Sequence, residues 1–357
     1  MKTTTHIAKL LSAVVVMCAS VACVNVDGYD GEQPSIVGFQ TVVGLDEAAR
    51  ADSGVAYPTD VPFSASAYAL PEEYHWDRTK AEAVEYFSGV KVEWLPALGG
   101  WVGNPAQYWP RSYWLTFFAH SPWADNNGNQ ITNITIDPAN DATIVTDWDT
   151  SSTANKGIDL MIAEVGEGQK DRNHANTLGG VPTVFRHTLA RVQMAANLAS
   201  EYVINGRTYY ITLRKVELRQ ILTRGNYSSA AGRWDSQKQP KNLVIYNYAT
   251  EGTGGIVLGV NATFVGVPTL VLPQVHQEGN EGAQAEIFVE WHDSLDGAVK
   301  SATINLRQKF SNSHWGRGIH YTYYLSWEKG TPSYIEFDQP VISEDWANGG
   351  NFVLVIE

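Results

Sequence analysis

The chain has 357 residues, a net charge of -13 and two cysteines, Cys18 and Cys23. Both cysteines lie in the first 23 residues, so no disulfide can staple anything downstream, and no Cys/His spacing supports a structural zinc site. With 38 Asp and Glu against 25 Lys and Arg, the chain lacks the basic footprint of a general nucleic-acid binder.

Lys2 and Lys9 open the chain, and Leu10 to Ala22 is a nearly unbroken apolar or small run. Such a run is short of the roughly 20 residues needed to span a bilayer and fits the apolar region of an export signal. Small residues then precede Cys23, the arrangement of a lipobox with Ser20 in place of the usual Leu. The expectation is a lipoprotein signal peptide over 1–22, with Cys23 acylated by palmitate-type chains; the alternative is an ordinary secretory signal with an incidental cysteine. Loss of residues 1–22 removes two lysines and no acid, which takes the net charge from -13 to -15. Asp27, Asp30 and Glu32 follow in a Gly-containing stretch that reads as a solvated tether.

From there the chain reads as all-β. Alternating or β-branched runs recur at Ile36–Val43, Val61–Tyr68, Ser112–Phe118, Ile131–Ile136, Thr143–Val145 and Thr183–Ala195. They continue at Tyr209–Leu213, Leu243–Tyr248, Thr269–Leu272, Ala285–Trp291, Ser301–Leu306, Tyr321–Trp327, Tyr334–Phe337 and Phe352–Ile356. Turn sequences such as Asn205-Gly206 and Asp296-Gly297 separate many of them. Helical patterning is weak: Thr79–Phe87 reads as a short helix, and Ala190–Ser200 has a helix-compatible composition. So many strands exceed one small sandwich, and two in series fit better. The Gly/Asn/charge-rich stretch Gly166–Gly180 is the candidate linker. The expected division is an N-terminal β-sandwich domain over 23–178 and a C-terminal one over 179–357.

No known catalytic motif is present: there is no HExxH, GxSxG, Walker loop or GxGxxG. Asp125-Asn126-Asn127-Gly128-Asn129 lacks the glycine and glutamate positions of an EF-hand and reads as a polar turn. Asp147 and Asp149 flank Trp148, but nothing nearby completes an acid/base site, so they read as solvated loop acids. His314 and His320 read as packed or exposed side chains rather than metal ligands. The expectation is no enzyme, no cofactor and no metal. Aromatic side chains stack on sugars, so the 12 tryptophans leave open a monomeric surface lipoprotein that binds a glycan; most of them read as core.

Several segments, in order, resemble the fimbrillin family, the type V pilins and related surface lipoproteins of Gram-negative anaerobes, whose subunits include FimA-like and Mfa-like proteins. They are Tyr108-Trp109-Pro110 with Trp114-Leu115-Thr116-Phe117-Phe118-Ala119, then Asp159-Leu160-Met161-Ile162-Ala163. Next, Phe185, His187, Leu189, Ala190, Arg191 and Val192 match a phenylalanine–histidine–leucine–alanine–basic–valine pattern. Leu272-Pro273-Gln274 and Tyr334–Phe337 to Trp346 follow. The resemblance implies two tandem transthyretin-like β-sandwich domains and a subunit, whether stalk, tip or accessory, of fimbriae that support adhesion and biofilm formation. It implies attachment to the outer membrane through a lipid anchor at Cys23, and other fimbrial subunits as partners, with a host or glycan ligand as adhesive target. It also implies that a trypsin-like surface protease cuts behind the first strand, so that a neighbour's strand can take its place.

The residues offer candidates for each part. Arg50 is the only Lys or Arg between Lys9 and Arg78, in a loop of small and polar residues. The strand before it, with Ile36, Val37, Phe39 and Val43, is the candidate displaced strand; Val37, Phe39, Thr41 and Val43 share one face. Phe352, Val353, Leu354, Val355 and Ile356, behind Asn348-Gly349-Gly350, form the candidate donor strand.

Overall fold

A computed structural model describes residues 35–44, 55–71, 74–170, 180–252, 254–276, 284–309, 314–328, 335–337 and 341–343. Cys23, Arg50 and Phe352–Ile356 lie outside the described residues. The first sheet is built from β1 (Gly38–Val43), β2 (Val55–Ala56), β3 (Phe63–Pro71), β4 (Val84–Leu95), β5 (Gly100–Asn104) and β6 (Tyr113–Ser121). Strands β7 (Ile134–Asp137) and β8 (Ala142–Asp149) leave it for another sheet, and β9 (Met161–Ala163), β10 (Gly166–Gln169) and β11 (Val181–His187) return. The order is β10-β6-β3-β4-β5-β1-β11-β9, with β2 added beside β1. β9 also pairs back onto β6 through His120–Ile162 and Ser121–Met161, which closes the layer on itself. Its inward residues form an aromatic core around Phe39, Phe63, Phe117, Trp101 and Phe185.

Beyond β11 come β12 (Ala190–Leu198), the hairpin β13 (Val203–Ile204) and β14 (Arg207–Thr208), β15 (Ile211–Ser228), β16 (Arg233–Asn247) and β17 (Ile256–Val257). They are followed by β18 (Thr263–Val271), β19 (Glu286–Asp293), β20 (Val299–Asn305), β21 (His320–Trp327), β22 (Ile335–Phe337) and β23 (Val341–Ser343). Two sheets result. One runs β18-β12-β21-β22, with β23 also on β21; the other runs β20-β19-β15-β8-β7, with β16 and β17 on β15. Alternate residues of both face a common core that contains Val192, Met194, Val216, Leu218, Val289 and Tyr323, the pattern of sheets packed face to face.

The two halves share strands. β15 is long enough to pair with β19 over Ile211–Arg219 and with β8 over Arg224–Ser228, along the same edge. A bridging core with Trp148, Leu160, Leu189, Tyr227, Trp234 and Leu272 draws on both sides. The boundary expected at 178/179 therefore precedes a strand, β11, that pairs with β1 and β9 of the first sheet. The change of sheet comes at Thr188-Leu189, where both residues are fully buried. There Thr188 donates its N–H and hydroxyl to the Leu160 carbonyl, and its own carbonyl accepts from Trp234 Nε1 at 2.6 Å.

One expected helix and one helix-compatible segment differ. Thr79–Phe87 is helical only through a turn ending at Thr79 and a tighter turn to Glu82; β4 begins at Val84. Ala190–Leu198 is a strand, because β18 and β21 flank it and satisfy its backbone on both sides. Small side chains suit a strand buried on both faces as well as they suit a helix. Among the described residues no helix is long and apolar enough to cross a membrane.

Candidate strand-exchange groove

β1 forms where alternation would place it. Val37, Phe39 and Val43 are buried, while Ile36 is exposed and Thr41 half-buried. The strand sits inside the sheet rather than at an edge. On one side it runs parallel to β11, from Phe39–Val181 to Val43–Phe185. On the other it runs antiparallel to β5 at Gly38–Val102 and Phe39–Trp101, and to β2 at Val42–Ala56 and Val43–Val55. Backbone bonds fix both ends: Val37 N–H to the Gln107 carbonyl at 2.8 Å, and Gly44 N–H to the Phe185 carbonyl at 2.9 Å.

Phe39 is the central contact. Its ring meets Phe63 at 5.5 Å and Phe117 at 5.7 Å, both edge-to-face, the geometry aromatic quadrupoles prefer. Beside Phe39, just before β11, the approach is backbone to backbone: a Cβ on Gly180 would lie 2.5–2.6 Å from the Phe39 backbone atoms. Only a glycine lets β1 approach that closely.

The segment from Val55 on is held separately. Tyr57, next to β2, is buried against Phe63, Trp101 and Phe185, and its hydroxyl lies 2.6 Å from Ser121 Oγ. Burial pushes the Tyr57 hydroxyl pKa well up, more than the Ser121 bond lowers it. Residues 45–54 thus join two anchored pieces: β1, and a β2–Tyr57 segment with its own place in the core.

The model of the fimbrillin-like family matches residues 71–343. The chain belongs to the fimbrillin-like family. A fimbrial protein from Bacteroides vulgatus has a similar structure, with 16% identity over 86% of this chain and 98% of that one and a TM-score of 0.55. A protein assigned to cell adhesion, from Bacteroides uniformis, aligns with 15% identity over 87% and 99% of the two chains and a TM-score of 0.50. No curated protein sequence matches the chain.

The segments that carry the fimbrillin resemblance are mostly parts of the frame. Phe185 fills the first core, Leu189 the bridging core, and Ala190 and Val192 the second. His187 Nδ1 lies 2.9 Å from the Asp159 carboxylate, which ties two of these segments together. Arg191 is paired in register with His320; burial, and then this guanidinium, lower the His320 pKa to about 4. Gln274 accepts from Leu222 N–H and donates to the Leu222 and Leu272 carbonyls, clamping the loop after β18 onto β15.

The other sequence candidates also have structural partners. Asp125 Oδ1 accepts from the N–H groups of Asn127 and Asn129, which closes a polar turn. Asp147 and Asp149 belong to strand β8 rather than to a loop, and Asp147, at φ 53°, breaks the alternation that would align them. Asp147 pairs with Lys238 at 2.9 Å and Arg224 at 3.1 Å, contacts that hold its carboxyl below the usual range; Asp149 pairs with Lys241 at 3.4 Å. Among the described residues no cluster of three or more His, Cys, Asp or Glu could hold a metal ion, and no tryptophan is exposed. What the β1 site offers is backbone pairing with β5 and β11 and apolar burial of Val37, Phe39 and Val43. The elements that sequence reasoning missed were β5, β11 as a partner of β1, Gly180 and Tyr57. Only the glycine at the end of the candidate linker carried a sequence signal.

Proposed function

We propose that this cell-surface fimbrillin-like protein is a subunit of a fimbrium that assembles by strand exchange at β1, with stalk, tip and accessory roles all compatible. The mature chain, two tandem transthyretin-like sandwiches joined by the shared strands described above, is exported as an outer-membrane lipoprotein through Cys23. A trypsin-like surface protease cuts after Arg50, and β1 leaves. The run Phe352–Ile356 of a neighbouring subunit takes its place, and the resulting fibres serve adhesion and biofilm formation.

One observation carries this reading. A strand at the centre of a closed sheet is joined to the strands that follow it through the segment that holds Arg50, while the far side of that segment is anchored independently by β2 and Tyr57. Burial of Val37, Phe39 and Val43 contributes on the order of 5–9 kcal/mol, at about 1.5–3 kcal/mol per side chain. That is comparable with a whole domain's stability of about 5–15 kcal/mol. A sheet that loses β1 therefore has a strong drive to accept another strand, which also restores ladder bonds to β5 and β11. The test is trypsin treatment of the folded protein. The expected result is a new N-terminus at Ala51 and the growth of polymers, both lost in Arg50→Ala. Unchanged polymer growth in Arg50→Ala refutes the assignment of the cleavage site.

A further inference from the structure

The edge of a sheet is a row of unpaired backbone N–H and C=O groups on which another strand can seat. The two sheets around the second core leave β7, β16, β18 and β20 at their margins among the described residues, along with the three-residue strands β22 and β23. Several of these edges are broken up. β18 carries Pro268 and Gly266, the latter at φ 65°, and its register on β12 shifts between Val192 and Met194. β16 carries Pro240 between the exposed Lys238 and Lys241, and its register on β15 shifts at three places. β7 is four residues long and runs into Pro138. A proline has no N–H to offer, and a bulge or a short run spoils the ladder.

β20 has none of these breaks. Its seven residues include no glycine or proline, and they pair with β19 without interruption from Val299–His292 to Asn305–Glu286. Among the described residues no strand pairs with its other side. Alternation puts Lys300, Ala302 and Ile304 on the face toward the second core, where Ala302 and Ile304 are half-buried. Val299, Ser301 and Thr303 face outward and are exposed. A second β20 would find regular backbone to pair with and more apolar surface to cover. Two such strands run antiparallel about a two-fold axis, an isologous contact that closes as a dimer.

Lys300 is the exception on the inward face. Its ammonium lies 2.7 Å from the Asp293 carboxylate and 2.9 Å from that of Asp296. Backbone groups of the β19–β20 turn hold both acids in place: Asp293 accepts from Leu295 N–H, and Asp296 from Ala298 N–H. The bond to Asp293, and then that to Asp296, raises the Lys300 pKa, so the cation persists. Side-chain exposure is 5% for Asp293 and 19% for Lys300 but 50% for Asp296. The cluster holds two negative charges and one positive, and it draws its water through Asp296 and the free edge. A strand laid along β20 would cover Lys300 and desolvate a cluster with one uncompensated charge.

We infer that the Asp293–Lys300–Asp296 cluster keeps β20 from pairing with β20 of a second copy, and that Lys300 is thereby a specificity-determining residue for how this chain associates. An inward charge on an edge strand is tolerated in the single molecule, where carboxylates and water solvate it. It opposes pairing once the edge is covered. Strand exchange at β1 is not needed for this, because β20 lies in the other core and the uncut chain already presents its edge. For a subunit that joins others at one site, a second competent edge would add a lateral contact between fibres.

The test uses the uncut chain and two readouts: molar mass by light scattering, and amide hydrogen exchange by mass spectrometry. Lys300→Met alone would strand the buried Asp293 without its cation. It is therefore combined with Asp293→Asn and Asp296→Asn, which keep the acceptors for Leu295 and Ala298. This neutral variant, with a wild-type circular dichroism spectrum, should show about twice the wild-type mass or more at the same concentration, and β20 amides that exchange about tenfold more slowly or less. Lys300→Met with Asp293→Leu, which replaces the buried pair by apolar groups, is the second variant should the first not fold, and it carries the same expectation. Adding Ala302→Lys to either returns a charge to the next inward position and should restore both wild-type values. Wild-type mass in a folded neutral variant overturns the inference. So does association that leaves β20 exchange unchanged, or that survives Ala302→Lys, since the new contact would then lie elsewhere.

Discussion

Gly180→Ala probes the seat of β1 with a single methyl group. The added Cβ would lie 2.5 Å from the Phe39 carbonyl carbon, 2.6 Å from its Cα and 2.6 Å from its nitrogen. Ordinary carbon contacts are about 3.5–4.0 Å, so one backbone must withdraw by about 1 Å. All three clashing atoms are main chain, so no change of side-chain rotamer relieves them. Withdrawal strains the Phe39–Val181 register and lifts the Phe39 ring from Phe63 and Phe117. Overpacking of this kind costs about 1–3 kcal/mol, and a backbone clash belongs at the upper end. The ceiling is the full 5–9 kcal/mol, roughly, that the buried β1 side chains contribute. At about 3 kcal/mol, and roughly 2–4 °C per kcal/mol for a unit of this size, the melting temperature should fall by about 6–12 °C. Thermal unfolding followed by circular dichroism measures this. Uptake of a synthetic peptide of residues 344–357 after trypsin treatment should also fall, because an incoming strand meets the same methyl group. A melting temperature within about 2 °C of wild type, where the cited slope leaves less than about 1 kcal/mol, would refute the reasoning.

Two further outcomes follow from the frame. Trp234→Phe removes the Nε1–H donor to the Thr188 carbonyl at the change of sheet; leaving that buried carbonyl unpaired should cost about 1–3 kcal/mol, read as a lower urea midpoint. Burial lowers the pKa of His120 to about 4, against a smaller opposing effect of its bond to the Pro122 carbonyl. Since this folded-state value lies below the unfolded one, the unfolded chain binds the extra proton. Stability is therefore full above about pH 6.5 and falls as pH drops toward 4, by at most about 1.4 kcal/mol per pH unit for this residue. Urea titrations at pH 7, 6 and 5 should show the decline, and a flat profile would contradict it.

Local patterning carried much of the fold. β1, β6, β19 and β21 lie where alternation and β-branched runs placed them, because a strand with one buried face writes its period into the sequence. The ordered fimbrillin segments were legible for the same reason: they fill cores and clamp the change of sheet, and such positions tolerate few residue types. Arg50 and the candidate donor were found by scarcity and composition alone.

What the chain could not display is which strands lie side by side. The first residues of β4, Val84–Phe87, were read as the end of a short helix because Val84 and Tyr86 face outward and no alternation marks that start. β12 was compatible with a helix until β18 and β21 claimed its backbone on both edges. The parallel pairing of β1 with β11, the closure of β9 onto β6 and the span of β15 across both cores each join residues far apart in sequence. Pairing energy depends on the partner and its register, and neither is encoded in the period of the strand itself. That is why the candidate displaced strand could be named from residues 36–43, whereas its place at the centre of a closed sheet and its close approach to Gly180 emerged only from the tertiary structure.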